Sequence, residues 1–160
     1  KMASINKKVT YLIYSGGNPY GRMMSILEKT RSEENDNNQN CNYLLDYWKK
    51  VVENQNEITY EGGDTFKATY GFSLPPRDYL VNLKIPVLLT YGTKDWGISF
   101  NDLFQMETIT ARKQNFTFKS YQGLEHNFFP LNEDGSVNEE IYNWDEIASD
   151  WMKWLKENND

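Results

Sequence analysis

Residues 85–95 have the sequence IPVLLTYGTKD, and this stretch decides the fold. Its first seven residues, 85–91, are almost continuously apolar, which is typical of a strand buried on both faces of a parallel sheet. Pro86 fits the entrance of such a strand and Gly92 fits its exit. The stretch therefore predicts a central strand that ends shortly before Asp95.

Two further segments have the character of strands. Residues 9–14 (VTYLIY) and 116–121 (FTFKSY) are rich in β-branched and aromatic residues, and each is followed by turn-forming residues. Apolar residues at helical spacing occur in three other places: Leu44, Leu45, Trp48, Val51 and Val52; Phe100, Leu103, Phe104 and Ala111; and Ile147, Ala148, Trp151, Trp154 and Leu155. Asn143, with Glu146 three residues later, predicts a cap for the last helix. This alternation predicts an α/β fold of three parallel strands, adjacent in chain order, with flanking helices.

The segment between the first two strands is too long for a simple crossover. It contains helical patterns divided by the polar run SEENDNNQN at residues 32–40, which we interpret as a solvated surface loop. We expect residues 1–160 to form one domain, with an inserted helical cap at about residues 17–82.

Composition narrows the function classes. Seventeen Lys and Arg residues against 23 Asp and Glu residues give a net charge of −6, which would repel a phosphate backbone, so we expect no nucleic-acid partner. The single cysteine, Cys41, can form neither an internal disulfide nor a multi-thiol zinc site. No apolar run reaches the roughly 20 residues that a membrane span needs. Cellular location and homo-oligomerisation are left open.

An acid and the only histidine of the chain each follow a predicted strand. Asp95 comes just after the strand at 85–91, and His126 follows Gly123 after the strand at 116–121. In open α/β sheets, ligands bind at the carboxyl ends of the strands. The order strand, acid, helix, strand, histidine, helix is that of the C-terminal part of an α/β-hydrolase. Asp102 and Glu125 are weaker candidates for the acid.

IPVLLTYGTKD and YQGLEHNFF closely resemble the acid and histidine segments of bacterial α/β-hydrolases, in the group that includes dienelactone-hydrolase-like and prolyl-oligopeptidase-like enzymes. The resemblance implies that Asp95 is the acid and His126 the general base of a catalytic triad. It also implies cleavage of an ester, thioester or peptide bond in a small molecule or peptide, without a metal or organic cofactor.

Four residues are expected to border the substrate pocket. Ser15 and Gly16 follow the first strand at its carboxyl end, Trp96 is next to the acid, and Phe128 comes just after the histidine. Aromatic residues at such positions serve at least as often in plain packing.

The chain lacks the nucleophile that a triad requires. No serine has glycines two residues away on both sides, as a Gly-x-Ser-x-Gly elbow demands. Ser73 is half a match, but too few residues separate it from the strand at 85–91; Ser15 and Cys41 lie in contexts that favour structural roles. We therefore expect the nucleophile upstream of Lys1, in an N-terminal half that is a partner of this chain, and no activity from these residues alone.

Two other interpretations stay open at this point. The chain could be a non-catalytic α/β-hydrolase relative that works as a binding or interaction module, and the upstream sequence would distinguish the two. A flavodoxin-like ligand-binding domain would need a phosphate-binding loop after a strand, for which Ser15, Gly16 and Gly17 are a weak signal.

Overall fold

The computed structural model describes residues 1–33, 42–59, 61 and 63–159. Cys41 and most of the polar run at 32–40 lie outside them. The elements in chain order are α1 (Met2–Ile5), β1 (Leu12–Ser15), α2 (Arg22–Glu33), α3 (Asn42–Glu53), α4 (Phe66–Ser73), α5 (Arg77–Leu80), β2 (Val87–Gly92), α6 (Ile98–Thr110), β3 (Phe116–Tyr121) and α7 (Trp144–Glu157).

Contacts divide the chain into two compact units. The first, here the sheet unit, comprises Lys1–Gly17 and Asp78–Asp160. The second, here the helical unit, comprises Asn18–Arg77. The helical unit falls within the region expected to be a cap, and its role as a cap stays a prediction.

The sheet has three parallel strands in the order β1, β2, β3. Val87 is the register partner of Leu12 on one side and of Phe116 on the other. The predicted order and direction are confirmed. β1 runs from Leu12 to Ser15 rather than over residues 9–14, because pairing with β2 begins at Leu12 and extends to Ser15. Every residue of β2 is buried, as its apolar sequence predicts. The chain therefore has the α/β fold of parallel strands with flanking helices.

Helices α6 and α7 cover opposite faces of the sheet. Phe116 and Phe118 of β3 both contact Phe104 of α6, with ring centroids 5.7 and 6.3 Å apart. Thr117, between them, points to the other face and accepts a hydrogen bond from the indole of Trp154 in α7 at 3.1 Å. Because side chains alternate along a strand, the two helices sandwich the sheet.

The predicted apolar stripe of α6 is confirmed at Phe104, which is fully buried, but not at Leu103 or Ala111, which are exposed. The buried residues of this helix are Asn101, Phe104 and Thr108, whereas Leu103 is 44% exposed. Phe104 packs against both phenylalanine rings of β3, and Asn101 and Thr108 are buried on the same helix. Polar side chains therefore accompany one aromatic residue on the buried face.

Asn143 precedes α7 as predicted, but its side chain does not cap the helix. Its amide instead donates a hydrogen bond to the Phe128 carbonyl at 3.0 Å. The α7 face packs Ile147 and, partly buried, Trp144 and Trp151 against Tyr121 and Phe128. The last helix is thus joined to the loop that follows β3.

The helical unit has its own core. Met23 and Leu27 of α2 pack with Leu44 of α3, and Trp48 stacks on Tyr70 of α4 at 5.9 Å. Of the apolar residues predicted to share one face of α3, Leu44 and Val51 are buried but Leu45 and Val52 are exposed, since they lie at the margin of the stripe. No helix in the described part of the chain is both long and apolar enough to cross a membrane.

Candidate active site

The acid lies in a tight turn between β2 and α6. Gly92 ends β2, and its carbonyl accepts a hydrogen bond from the Asp95 N–H at 3.2 Å. The Asp95 side chain is only 4% exposed. Its Oδ1 accepts a hydrogen bond from the Gly97 N–H at 2.8 Å, at the start of α6. The turn therefore fixes the carboxylate through backbone hydrogen bonds alone.

The loop after β3 is tied to the acid turn by the backbone. The Lys94 N–H donates to the Leu124 carbonyl at 2.8 Å, and the Gly123 N–H donates to the Thr93 hydroxyl at 2.8 Å. Gly92 permits this approach, because a Cβ there would lie 2.1 Å from the Leu124 carbonyl oxygen. The two loops thus form one bonded structure at the carboxyl edge of the sheet.

His126 and Asp95 meet at this edge. Nδ1 of His126 lies 2.8 Å from Oδ2 of Asp95, so the acid and the histidine named from the sequence are joined by a hydrogen bond. An ionised carboxylate can only accept, so Nδ1 carries the proton and Nε2 holds the basic lone pair of the ring. The histidine side chain is 34% exposed against 4% for the acid. A buried carboxylate that orients a more accessible imidazole can assist proton transfer.

Glu125, considered as an alternative acid, shapes the histidine loop instead. One oxygen of its buried carboxylate accepts hydrogen bonds from the N–H groups of Asn127 at 2.7 Å and Phe129 at 3.1 Å. The Glu125 N–H also donates to the Phe129 carbonyl at 2.8 Å. Sequence reasoning missed this function, and the available signal is weak: an acidic residue opening a turn can accept from N–H groups a few residues later.

Asp102, the other alternative acid, is exposed on α6. Its charge contributes to raising the pKa of Tyr91, whose main cause is burial of the phenol. This interaction links Asp102 to Tyr91 on the α6 side of the sheet.

Trp96 lies against the histidine ring. The indole and imidazole are stacked, with centroids 4.6 Å apart and planes 25° apart. Trp96 is half-buried and directly follows Asp95. The acid turn therefore supplies both the carboxylate at one edge of the imidazole and an aromatic surface on its face.

Gly16 also lies beside His126, whereas Ser15 has different surroundings. Gly16 has a φ of +56°, and a Cβ there would lie 3.8 Å from Cε1 of His126. The Ser15 hydroxyl is buried, and neither it nor the hydroxyl of its register partner Thr90 has a hydrogen-bond partner among the described residues. The first strand thus brings a glycine, and not a nucleophilic hydroxyl, to the histidine.

Phe128 belongs to the core rather than to a substrate pocket. It is 1% exposed and packs edge-on against Tyr121 at 5.4 Å and Trp144 at 5.2 Å. Its φ of +65° is rare for a bulky residue and reflects a backbone that turns the ring inward. We therefore do not retain Phe128 as a candidate pocket residue.

The described residues contain no group of three or more His, Cys, Asp or Glu side chains that could hold a metal ion. Comparison with curated proteins gives no match. The model of the dienelactone hydrolase family matches residues 59–158, which is more than half of the chain and includes both Asp95 and His126. With its parallel strands and the family match, the chain belongs to the dienelactone hydrolase family, a family of α/β-hydrolases.

Proposed function

We propose that the protein is a serine-hydrolase-type enzyme that cleaves an ester, thioester or peptide bond through an acyl-enzyme, with His126 as general base and Asp95 as the acid of the triad. The observation that carries this proposal is the 2.8 Å hydrogen bond between His126 Nδ1 and a carboxylate whose other oxygen is held by the Gly97 N–H. A carboxylate anchored in this way keeps the imidazole in the tautomer that a general base requires.

The proposed reaction has two half-reactions. Nε2 of His126 takes the proton of the nucleophile hydroxyl as its oxygen bonds to the substrate carbonyl carbon, and the carbonyl π electrons move to oxygen. The oxyanion collapses, the bond to the leaving group breaks, and the leaving group takes the proton from Nε2. Water then repeats the sequence on the acyl-enzyme and releases the acid. Asp95 stabilises the imidazolium in both steps without taking its proton.

In the proposed mechanism, the nucleophile belongs to a segment outside residues 1–160. No serine of the chain has the glycine spacing of an elbow. Within the described residues, β1 pairs with β2 on one side only, and its residues are half-buried. An edge of this kind favours covering by a further strand. A neighbouring N-terminal segment would supply that strand, the elbow and the oxyanion hole, and residues 1–160 alone would then be inactive.

The test is hydrolysis of p-nitrophenyl acetate by the protein that carries these residues, compared with its His126→Ala variant. We expect kcat/KM to fall by about 10² to 10⁴-fold, the usual contribution of a general base. Gln122→Ala, at an exposed position directly before Gly123, is the matched control and should leave the rate unchanged. An unaffected His126→Ala variant would end the hydrolase proposal. Parallel assays with a thioester and a peptide anilide identify the bond that is cleaved.

A further inference from the structure

Trp96 has a geometry that the triad itself does not require. The catalytic role proposed for His126 needs a carboxylate at Nδ1 and access to Nε2, but the imidazole also has an indole stacked on its face at 4.6 Å. The backbone that carries Trp96 is held in place locally, because Trp96 lies between Asp95 and Gly97, which are joined by the hydrogen bond from the Gly97 N–H. The indole therefore has a defined position relative to the ring.

Several groups of the sheet unit lie near the imidazole in the described part of the chain. Asp95 is the charged group at its Nδ1 edge. Glu125 is adjacent in sequence, but its carboxylate accepts from the N–H groups of Asn127 and Phe129. Lys94, on the acid turn, has an exposed side chain, and Gly16 on the β1 side adds no charge. The π face of Trp96 is an uncharged group in direct contact with the ring.

We infer that Trp96 is a positioning residue that acts through His126, by holding the plane of the imidazole and by stabilising its protonated form through a cation–π interaction. This inference rests on the function proposed for His126. It assigns to Trp96 a role other than the pocket wall expected from sequence. A tryptophan face attracts a cation more strongly than a phenylalanine face, and a leucine offers no π electrons at all. The three side chains therefore form a graded series at one position.

The stack has two consequences for the reaction. During proton transfer the imidazole becomes a cation, and the indole face stabilises that state. The same contact favours protonation of the histidine in the free enzyme, and a protonated histidine cannot act as a base. As the pH is lowered, the wild-type protein should therefore lose activity at a higher pH than a variant without the indole. Removing the indole should therefore shift the acidic limb of the kcat/KM profile to lower pH while lowering the rate on the plateau. A residue that only fills space would lower the plateau without moving the limb.

The test is an NMR titration of the His126 ring in the protein, in Trp96→Phe and in Trp96→Leu. His126 is the only histidine in these 160 residues, and its resonances are assigned by their loss in His126→Gln. We expect the imidazole pKa to fall by about 0.5 to 1 unit in Trp96→Leu and by less in Trp96→Phe, as the size of cation–π interactions implies. The upfield ring-current shift of the imidazole protons should decrease in the same order.

The outcomes separate this inference from the proposed function. An unchanged pKa and unchanged ring-current shifts in both variants would overturn the role of Trp96, even where His126→Ala abolishes hydrolysis. A graded pKa with full hydrolysis by His126→Ala would instead overturn the catalytic role while leaving the stack intact. Thermal unfolding of each variant checks that the protein is folded. If Trp96→Leu does not fold, the comparison of the wild-type protein with Trp96→Phe decides the outcome.

Discussion

The carboxyl ends of β2 and β3 differ from the carboxyl end of β1 in how completely they are bonded. In the loops after β2 and β3, the carboxylates of Asp95 and Glu125 each accept hydrogen bonds from backbone N–H groups. The imidazole of His126 is hydrogen-bonded to Asp95. Ser15 is the last residue of β1, and its buried hydroxyl has no hydrogen-bond partner among the described residues. Buried polar groups in native structures are nearly always paired.

This difference between the strand ends indicates that residues 1–160 supply the acid and the histidine of the proposed site, but not its nucleophile. The acid and histidine are preorganised by turns within the sheet unit, so their geometry does not depend on a substrate. The β1 end brings Gly16 close to His126 but supplies no hydroxyl to activate. This division agrees with a nucleophile that comes from outside residues 1–160, as proposed above.

The largest expected effect is that of Asp95→Asn. An amide in place of the carboxylate can donate as well as accept, so Nδ1 no longer needs to carry the proton and the imidazole can adopt the wrong tautomer. We expect kcat to fall by about 10² to 10⁴-fold with little change in KM. Steady-state kinetics on p-nitrophenyl acetate measure this. Full activity would mean that the bonded end of the sheet is structural only.

Phe128→Ala tests the correction of the pocket assignment. Removal of a fully buried phenylalanine should lower the free energy of unfolding by about 3–5 kcal/mol. Phe72→Ala, the same change at a side chain that is 66% exposed, should cost less than about 0.5 kcal/mol. Urea denaturation measures both. Equal, small effects would return Phe128 to the candidate pocket residues.

Gly92→Ala tests the close approach of the two loops. The added Cβ would lie 2.1 Å from the Leu124 carbonyl oxygen and 2.5 Å from that of Glu125, so the backbone must move. We expect a loss of about 1–3 kcal/mol in stability, as overpacking usually costs. Gly71→Ala in α4, where a Cβ meets nothing within 4 Å, should be neutral or stabilising by up to about 1 kcal/mol. A thermal shift of the same sign for both would contradict the contact.

Ser15→Ala has the smallest expected effect and opposite signs in two settings. In residues 1–160 alone it removes a buried hydroxyl that has no described partner, so stability should be unchanged or rise by up to about 1 kcal/mol. In the protein with a covering segment that bonds to this hydroxyl, the same change should cost about 0.5–1.5 kcal/mol. Paired denaturation curves decide this, and a large loss in the isolated residues would mean that the β1 end is already complete.

Sequence predicts the frame of this molecule better than its side-chain details. Asp95 follows the apolar run of β2 and His126 follows β3. The carboxyl ends of parallel strands lie at one edge of the sheet, so sequence alone predicts that these two residues meet. Phe128 is buried at a position with a left-handed backbone, and no apolar pattern encodes that conformation. The stack of Trp96 on His126 depends on the exact turn after Asp95.

Helix faces were less predictable for a related reason. The buried stripe of α6 combines Asn101, Phe104 and Thr108, because the shape of the β3 surface selects the face that admits Phe104. Asn143 likewise donates to the Phe128 carbonyl rather than capping α7. In both cases tertiary contacts override a local preference that sequence can express.

Identification of the acylated residue tests the central claim most directly. The protein is mixed with p-nitrophenyl acetate, quenched in acid during turnover, digested and examined by mass spectrometry, with His126→Ala treated in parallel. The account predicts one acetylated serine outside residues 1–160, and no such adduct in the variant. An acetyl group on Ser15 or Ser73, or an adduct that forms equally well without His126, would contradict it.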